Sequence, residues 1–262
     1  MAKTIMIGNY KGGSGKTQTA LEMAYWLACR DKRVFAVDLD HQANFTKVLS
    51  KGHLTGKRSL PEILIAGDQV TPDDVSTSLV NKTGCHIDYI ASSLAAGRLE
   101  KKLPDDTPKE YVLKDALTPI KDYYDYIIVD TPPSAELITT CALIACDSIL
   151  ITSQAAVFSS EGVYKLMRVI DKVKSFPRMN PGLEVLGILI TMFEETIDCR
   201  QTVTDLQRSF ESLIIQPVIR KCTKVKESNR HFSFIQTYAP GSTSANDYKQ
   251  AFNSIFEPEL EL

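Results

Sequence analysis

The run Gly8-Asn9-Tyr10-Lys11-Gly12-Gly13-Ser14-Gly15-Lys16-Thr17 carries what phosphate chemistry needs. Glycines let the backbone turn its N–H groups inward around anionic oxygens, Lys16 supplies a point charge, and Thr17 offers a hydroxyl to magnesium at the start of a helix. A glycine-rich loop alone can be a tight turn. This one stands between the apolar run Thr4-Ile5-Met6-Ile7 and a stretch whose helical apolar face includes Leu21, Ala24 and Leu27. That context predicts a nucleotide site built from Gly12, Gly13, Ser14, Gly15, Lys16, Thr17 and Gln18.

Two carboxylates, Asp38 and Asp40, close a second apolar run in Val37-Asp38-Leu39-Asp40-His41-Gln42-Ala43-Asn44. Strand alternation points both the same way, at the edge where ligands sit in an open α/β sheet. Acidic groups there would repel a triphosphate unless one serves magnesium and the other holds the attacking water. A third, Asp130, ends the apolar run Tyr126-Ile127-Ile128-Val129 and precedes Thr131-Pro132-Pro133, whose double proline cannot continue a strand.

These motifs carry a resemblance. The usual phosphate loop has glycine where this chain has Tyr10, and a second lysine, Lys11, has entered the loop. The resulting K-G-G-x-x-K-T form resembles the deviant Walker A loop of the ParA and MinD ATPases, nitrogenase iron proteins and arsenite pump ATPases. The resemblance adds Lys11 to the nucleotide site and implies that it crosses a dimer interface to the partner's phosphates, so that ATP completes the dimer. Asp38-Leu39-Asp40 resembles the family's D-x-D-P-Q-G-N motif, with His41 and Ala43 replacing proline and glycine. By that likeness Asp38 lies near magnesium, Asp40 orients water, and Asp130 holds the metal through water as the end of a Walker B strand. The expected catalytic residues are thus Lys11, Lys16 and Asp40, and the expected metal residues Thr17, Asp38 and Asp130.

The C-terminal third is similar to the family in two further places. Ile188 to Phe193 and Gln216 to Ile219 resemble the segments that bracket adenine, which nominates Met192, Pro217 and Val218. Arg220, Lys221, Lys224, Lys226 and Arg230 then crowd into eleven residues with one glutamate, a local charge of +4 that suits a phosphate backbone. The family carries non-specific DNA-binding residues in the matching region, and Lys224 stands where many relatives have arginine.

The elements that must position these groups follow from the apolar runs. Seven strands are expected, at Thr4–Ile7, Val34–Val37, Ile87–Ala91, Tyr126–Val129, Ile149–Thr152, Val185–Thr191 and Leu213–Ile219. Several are apolar throughout, as strands covered on both faces are. The stripe Val163, Leu166, Met167, Ile170 and Val173 predicts a core-facing helix over Ser160–Lys174. Ser50 to Lys82 and Leu103 to Pro108 read as loops between short helices. The fold class expected is α/β, a mostly parallel twisted sheet flanked by helices on both faces, in one domain over 1–262.

Composition narrows the partners. Thirty Lys and Arg against 32 Asp and Glu give a net charge of -2, which excludes a uniformly basic nucleic-acid coat. Six cysteines without a C-x-x-C pair suggest neither zinc nor a disulfide framework, and no run is long enough to span a membrane. The tail after Phe252 is acidic and expected to be broken by Pro258, unlike the basic amphipathic helix of membrane-bound MinD proteins. Cysteines bridging a cluster, a tyrosine-rich tail, a duplicated domain and a preceding helix-turn-helix domain are not seen, which sets aside the corresponding branches. The resemblance therefore implies a cytoplasmic, nucleoid-associated ATP hydrolase, dependent on Mg2+ and stimulated by a partner. Its expected partners are a second copy bound through ATP, non-specific DNA and a ParB-like centromere-binding protein, in plasmid or chromosome segregation. The other reading is a nucleotide switch that positions a non-DNA cargo.

Overall fold

The strands are apolar end to end because helices cover both faces of the sheet they form. The computed structural model describes residues 1–53, 56–80, 84–103, 108–133, 136–156 and 159–260, the side chains of 257–260 excepted. Its strands are β1 (Lys3–Gly8), β2 (Val34–Asp38), β3 (Ser76–Leu79), β4 (His86–Ile90), β5 (Tyr126–Asp130), β6 (Ser148–Gln154), β7 (Glu184–Thr191) and β8 (Ile214–Ile215). They lie in the order β3-β4-β2-β5-β1-β6-β7-β8. All pairings are parallel except β3 with β4.

The helices are α1 (Lys16–Ala28), α2 (Asn44–Leu49), α3 (Leu60–Ala66), α4 (Leu99–Lys102), α5 (Val112–Leu117), α6 (Glu136–Ala145), α7 (Ser159–Ser175), α8 (Ile197–Phe210), α9 (Thr223–Arg230), α10 (Ile235–Tyr238) and α11 (Thr243–Leu260). Alternate strand residues sort into two cores. Met6, Phe35, Val37, Ile127 and Val129 pack with α3, α5, α6 and α7. Ile5, Ile7, Ala36 and Ile128 pack on the other face with α1, α2 and α11. The single tryptophan, Trp26 on α1, stacks on Phe256 of α11 with ring centroids 5.4 Å apart and meets Phe252 edge-on at 6.2 Å. Each such fully buried large side chain is worth about 1.5–3 kcal/mol, so α11 is bound to the back of the phosphate-loop helix.

Three expectations need correction. The region expected to be loops between short helices contains β3, whose Ser-Thr-Ser-Leu sequence is half buried and pairs antiparallel at the sheet edge, so it lacks an apolar run. Of Leu213–Ile219 only Ile214 and Ile215 pair as a strand, and the chain rejoins the sheet at a bridge between Phe193 and Arg220. Pro258 does not break α11, because it falls in the last turn, where a missing N–H costs one bond near the helix end. The helix expected at Ser160–Lys174 is α7, with Val163, Leu166, Ile170 and Val173 buried. Positions 54–55, 81–82 and 104–107 of the expected loops lie outside the described residues.

Candidate functional site

The loop between β1 and α1 is stitched to the ends of two strands far away in sequence. Asn9 Nδ2 donates to the Thr152 carbonyl at 2.5 Å while its Oδ1 accepts from the Lys11 N–H at 2.9 Å. Ser14 Oγ and Thr152 Oγ1 lie 3.1 Å apart, and Thr191 Oγ1 donates to the Ser14 carbonyl at 2.9 Å. Gly15 has φ +84°, and a Cβ there would come within 3.3 Å of the Thr191 side chain, so only glycine suits it. The loop is thus held in place by side chains from β6 and β7, with α1 starting directly from it.

Lys16 is buried, and its Nζ folds back to donate to the Lys11 carbonyl at 3.2 Å. Burial pushes its ammonium below the usual lysine range, against the pull of Asp130 and Asp40. Thr17 Oγ1 donates to Asp130 Oδ2 at 2.6 Å, whereas the other oxygen, Oδ1, is buried with no hydrogen-bond partner. Asp38 and Asp130 are register neighbours on β2 and β5. Asp38 Oδ2 accepts from the Thr46 N–H at 2.9 Å and the Thr46 hydroxyl at 2.8 Å, and Oδ1 accepts from the Asp40 N–H at 3.0 Å. Asp38 therefore anchors the loop into α2 while Oδ1 keeps a free lone pair. Asp40 Oδ1 accepts from the Gln42 N–H at 2.9 Å and lies 3.4 Å from His41 Nδ1.

Three carboxylates packed at one sheet edge repel each other. Burial raises the Asp38 carboxyl to about 6, helped by the Asp40 charge. Burial and the Asp38 charge raise Asp130 well above the usual carboxylate range, opposed by Thr17 and Lys16. A divalent cation reverses that cost. Among the described residues no cluster of three or more such side chains encloses a metal by itself. Magnesium does not ask for one, since it keeps waters and takes phosphate oxygens as ligands. The orphaned Asp130 Oδ1 beside the Thr17 hydroxyl is the arrangement such an ion fits.

The remaining candidates fall in different places. Lys11 Nζ points toward α7 and donates to Ser159 Oγ at 3.0 Å, away from Lys16 Nζ. Gln18 is buried, its Nε2 donating to Glu22 Oε1 at 2.8 Å and its Oε1 unpartnered. Met192, Pro217 and Val218 are brought together, because the Phe193 N–H bonds the Ile219 carbonyl at 2.9 Å and the Ile219 N–H bonds the Ile190 carbonyl at 2.8 Å.

The basic cluster is divided. Arg220 is committed to Asp247, through Nε at 2.9 Å, Nη2 at 2.6 Å and its N–H at 2.9 Å. Lys221 pairs with Glu194 at 2.9 Å and Lys224 with Glu227 at 2.8 Å. Setting Asp247, Glu194 and Glu227 against the five cations leaves a net charge of +2, not +4. Lys226 and Arg230 make no ion pair among the described residues, and their four-residue spacing puts them on one face of α9. The clamps Asn9, Thr46, Thr152 and Thr191 were missed in the sequence; an Asn just after a strand was the one available signal, for Asn9.

Among the described residues no helix is long and apolar enough to cross a membrane. A family model described as an AAA domain matches residues 2–185. The sporulation initiation inhibitor protein Soj of Bacillus subtilis is 32% identical over 249 residues, covering 95% of this chain and 96% of that protein. The chromosome partitioning protein ParA of Caulobacter vibrioides is 30% identical over 229 residues, 86% of this chain and 83% of that one. Among solved structures, the cobyrinic acid a,c-diamide synthase of Mycobacterium smegmatis with bound ADP and magnesium matches with a TM-score of 0.77 at 26% identity, over 95% of this chain and 91% of that chain.

Proposed function

The chain belongs to the ParA/MinD family of P-loop ATPases, and from that premise we propose that it hydrolyses ATP with magnesium, dimerises on ATP, binds DNA without sequence preference and drives segregation with a ParB-like centromere-binding partner in the cytoplasm, on the nucleoid. The observation that carries the enzymatic part is the orphaned Asp130 Oδ1 beside the Thr17 hydroxyl and the buried Lys16 ammonium. Bound magnesium supplies neutralisation of the phosphate charge. The chain's own groups do the rest. Lys16 and the loop N–H groups would hold the phosphates, Thr17, Asp130 and Asp38 would hold the ion, and Asp40 would orient the attacking water. Lys11 reaches the nucleotide of the partner subunit.

DNA contact is supported by Lys226 and Arg230 on one face of α9, with Lys221 and Lys224 joining when phosphate displaces their exposed carboxylate partners. Exposed pairs of that kind are worth only about 0–1 kcal/mol, so displacement is cheap. Arg220 stays on Asp247, whose side chain is only 4% exposed. The same pairings favour the second reading, a switch that positions a non-DNA cargo, because they halve the charge available to DNA. The enzymatic part is tested with Asp40→Ala: an ATP-bound dimer should accumulate with turnover reduced by about a hundredfold or more. Normal turnover would move the water-orienting role to another residue.

A further inference from the structure

Glu22 lies in the middle of α1 with no exposed surface, and no cation among the described residues pairs with it. Its charge is met instead by neutral donors from two directions. From α1 itself, Gln18 Nε2 donates to Oε1 at 2.8 Å. From α10, the Ile235 N–H donates to Oε1 at 2.7 Å, the Gln236 N–H to Oε2 at 3.4 Å, and Gln236 Nε2 to Oε2 at 3.0 Å. Gln236 Nε2 also reaches the Glu22 carbonyl at 3.1 Å. A buried carboxylate without a cation is expensive, and an apolar residue would cover the same surface. The arrangement makes sense when the joint itself has a use.

Each side of that joint leads somewhere. Gln18 follows Thr17, and the two line a cavity of about 360 Å³ that runs past Asn44 and Lys47 to Asn229 on α9 and Phe232 just beyond it, while the Gln18 Oε1 itself is buried and unpartnered. With its nitrogen turned toward Glu22, the Gln18 amide keeps one hydrogen uncommitted and its oxygen unpartnered, so a change at the nucleotide side that moves Gln18 is felt at Glu22. On the other side α10 is bound to α9. His231 stacks on Tyr238 with centroids 5.4 Å apart, Tyr238 Oη donates to Glu227 Oε2 at 3.1 Å, and the Ser233 N–H bonds the Ser228 carbonyl at 3.0 Å. A displacement of α10 therefore carries α9, with Lys226 and Arg230.

We infer that Glu22 is a coupling residue: a nucleotide that engages Gln18 shifts Glu22, and Glu22 sets the position of the α9–α10 pair and of its cations. The inference rests on the nucleotide site and DNA-binding face proposed above. Its consequence is that ATP alters α9 through Glu22 even in the absence of DNA.

The test is hydrogen exchange over residues 223–238 with and without saturating ATP, in the wild type, Glu22→Gln and Gln236→Ala, alongside ATP affinity and DNA affinity for each. Glutamine keeps the shape but turns an amide NH2 toward donors. In the wild type ATP should slow exchange across 223–238 by about tenfold or more, and raise DNA affinity by a similar factor. Both variants should bind ATP within about twofold of wild type and lose most of both responses. Should Glu22→Gln fail to fold, Gln236→Ala, which removes only the bonds at one side chain, carries the comparison. Variants that keep the full ATP-induced change in exchange would overturn the coupling, as would a wild type whose α9 and α10 do not respond to ATP. A Glu22-dependent exchange response without DNA binding in any state would support the coupling and overturn the DNA reading instead.

Discussion

Glu22→Gln should flatten the pH dependence of stability. Burial raises the Glu22 carboxyl from 4.5 to about 7, against hydrogen bonds from Gln236, Ile235 and Gln18 that favour the charged form. A folded-state value above the unfolded one means that the native protein holds the proton more tightly. The stability this contributes is fully present below pH 4.5 and is lost as pH rises to about 7, beyond which the loss is constant. A shift of that size corresponds to about 3 kcal/mol, at 1.36 kcal/mol per unit. Urea denaturation at several pH values between 4 and 8 reads the effect as the difference between wild type and variant. Asp38, raised to about 6, and Asp130, raised well above the usual carboxylate range by burial, are common to both proteins and cancel. The variant should lose about 1–3 kcal/mol at low pH, where its amide NH2 faces donors, and the gap should close or reverse by about pH 7, as the wild type gives up about 3 kcal/mol. Parallel profiles would show that Glu22 does not titrate in this range and that its burial has been misjudged.

Lys16→Ala should abolish ATP binding measured by calorimetry, because it removes the charge inside a ring of neutral donors; near-wild-type affinity would refute the loop assignment. Lys11→Ala should bind nucleotide but stay monomeric by light scattering with ATP, and ATP-dependent dimers of that variant would sink the cross-subunit role. Gly162→Ala should lower thermal stability by about 1–3 kcal/mol, since the new Cβ falls 2.5 Å from Asn9 Oδ1, the atom that shapes the phosphate loop; an unchanged melting temperature with unchanged ATP affinity would contradict the packing. DNA binding by an ATP dimer that uses Lys221, Lys224, Lys226 and Arg230 in both subunits should have a log–log salt slope near -7, at about -0.9 per contact, and removing Lys226 and Arg230 together should shallow it by roughly four units. A slope unmoved by that pair would make α9 a solvated face.

The parts of the site that were legible in the sequence are those whose chemistry is local. Gly12 to Thr17 must be contiguous to ring a phosphate, and Asp38 and Asp130 each end an apolar strand with Asp40 two residues beyond β2, so type and position announce them. What stayed hidden depends on partners distant in the chain. Nothing beside Thr152 or Thr191 reveals that they clamp Asn9 and Ser14, and nothing beside Asp38 shows that Thr46 fills its oxygen. The strand Ser76–Leu79 escaped because an edge strand of serine and threonine has no apolar run. The basic cluster was overcounted for a related reason: Asp247 and Glu194 lie 27 residues to either side, at Arg220 and Lys221, so counting charge within eleven residues missed them. Glu22 reads as one more polar residue on a helix until α10 covers it.

The central claim is that ATP converts this chain into a DNA-binding dimer. It is tested most directly by measuring DNA affinity, on duplexes of two unrelated sequences at fixed salt, with ATP, with ADP and without nucleotide. The account predicts tight, sequence-blind binding with ATP alone and about tenfold or weaker affinity in the other two states. Equal affinity in all three states, or none in any, would contradict it.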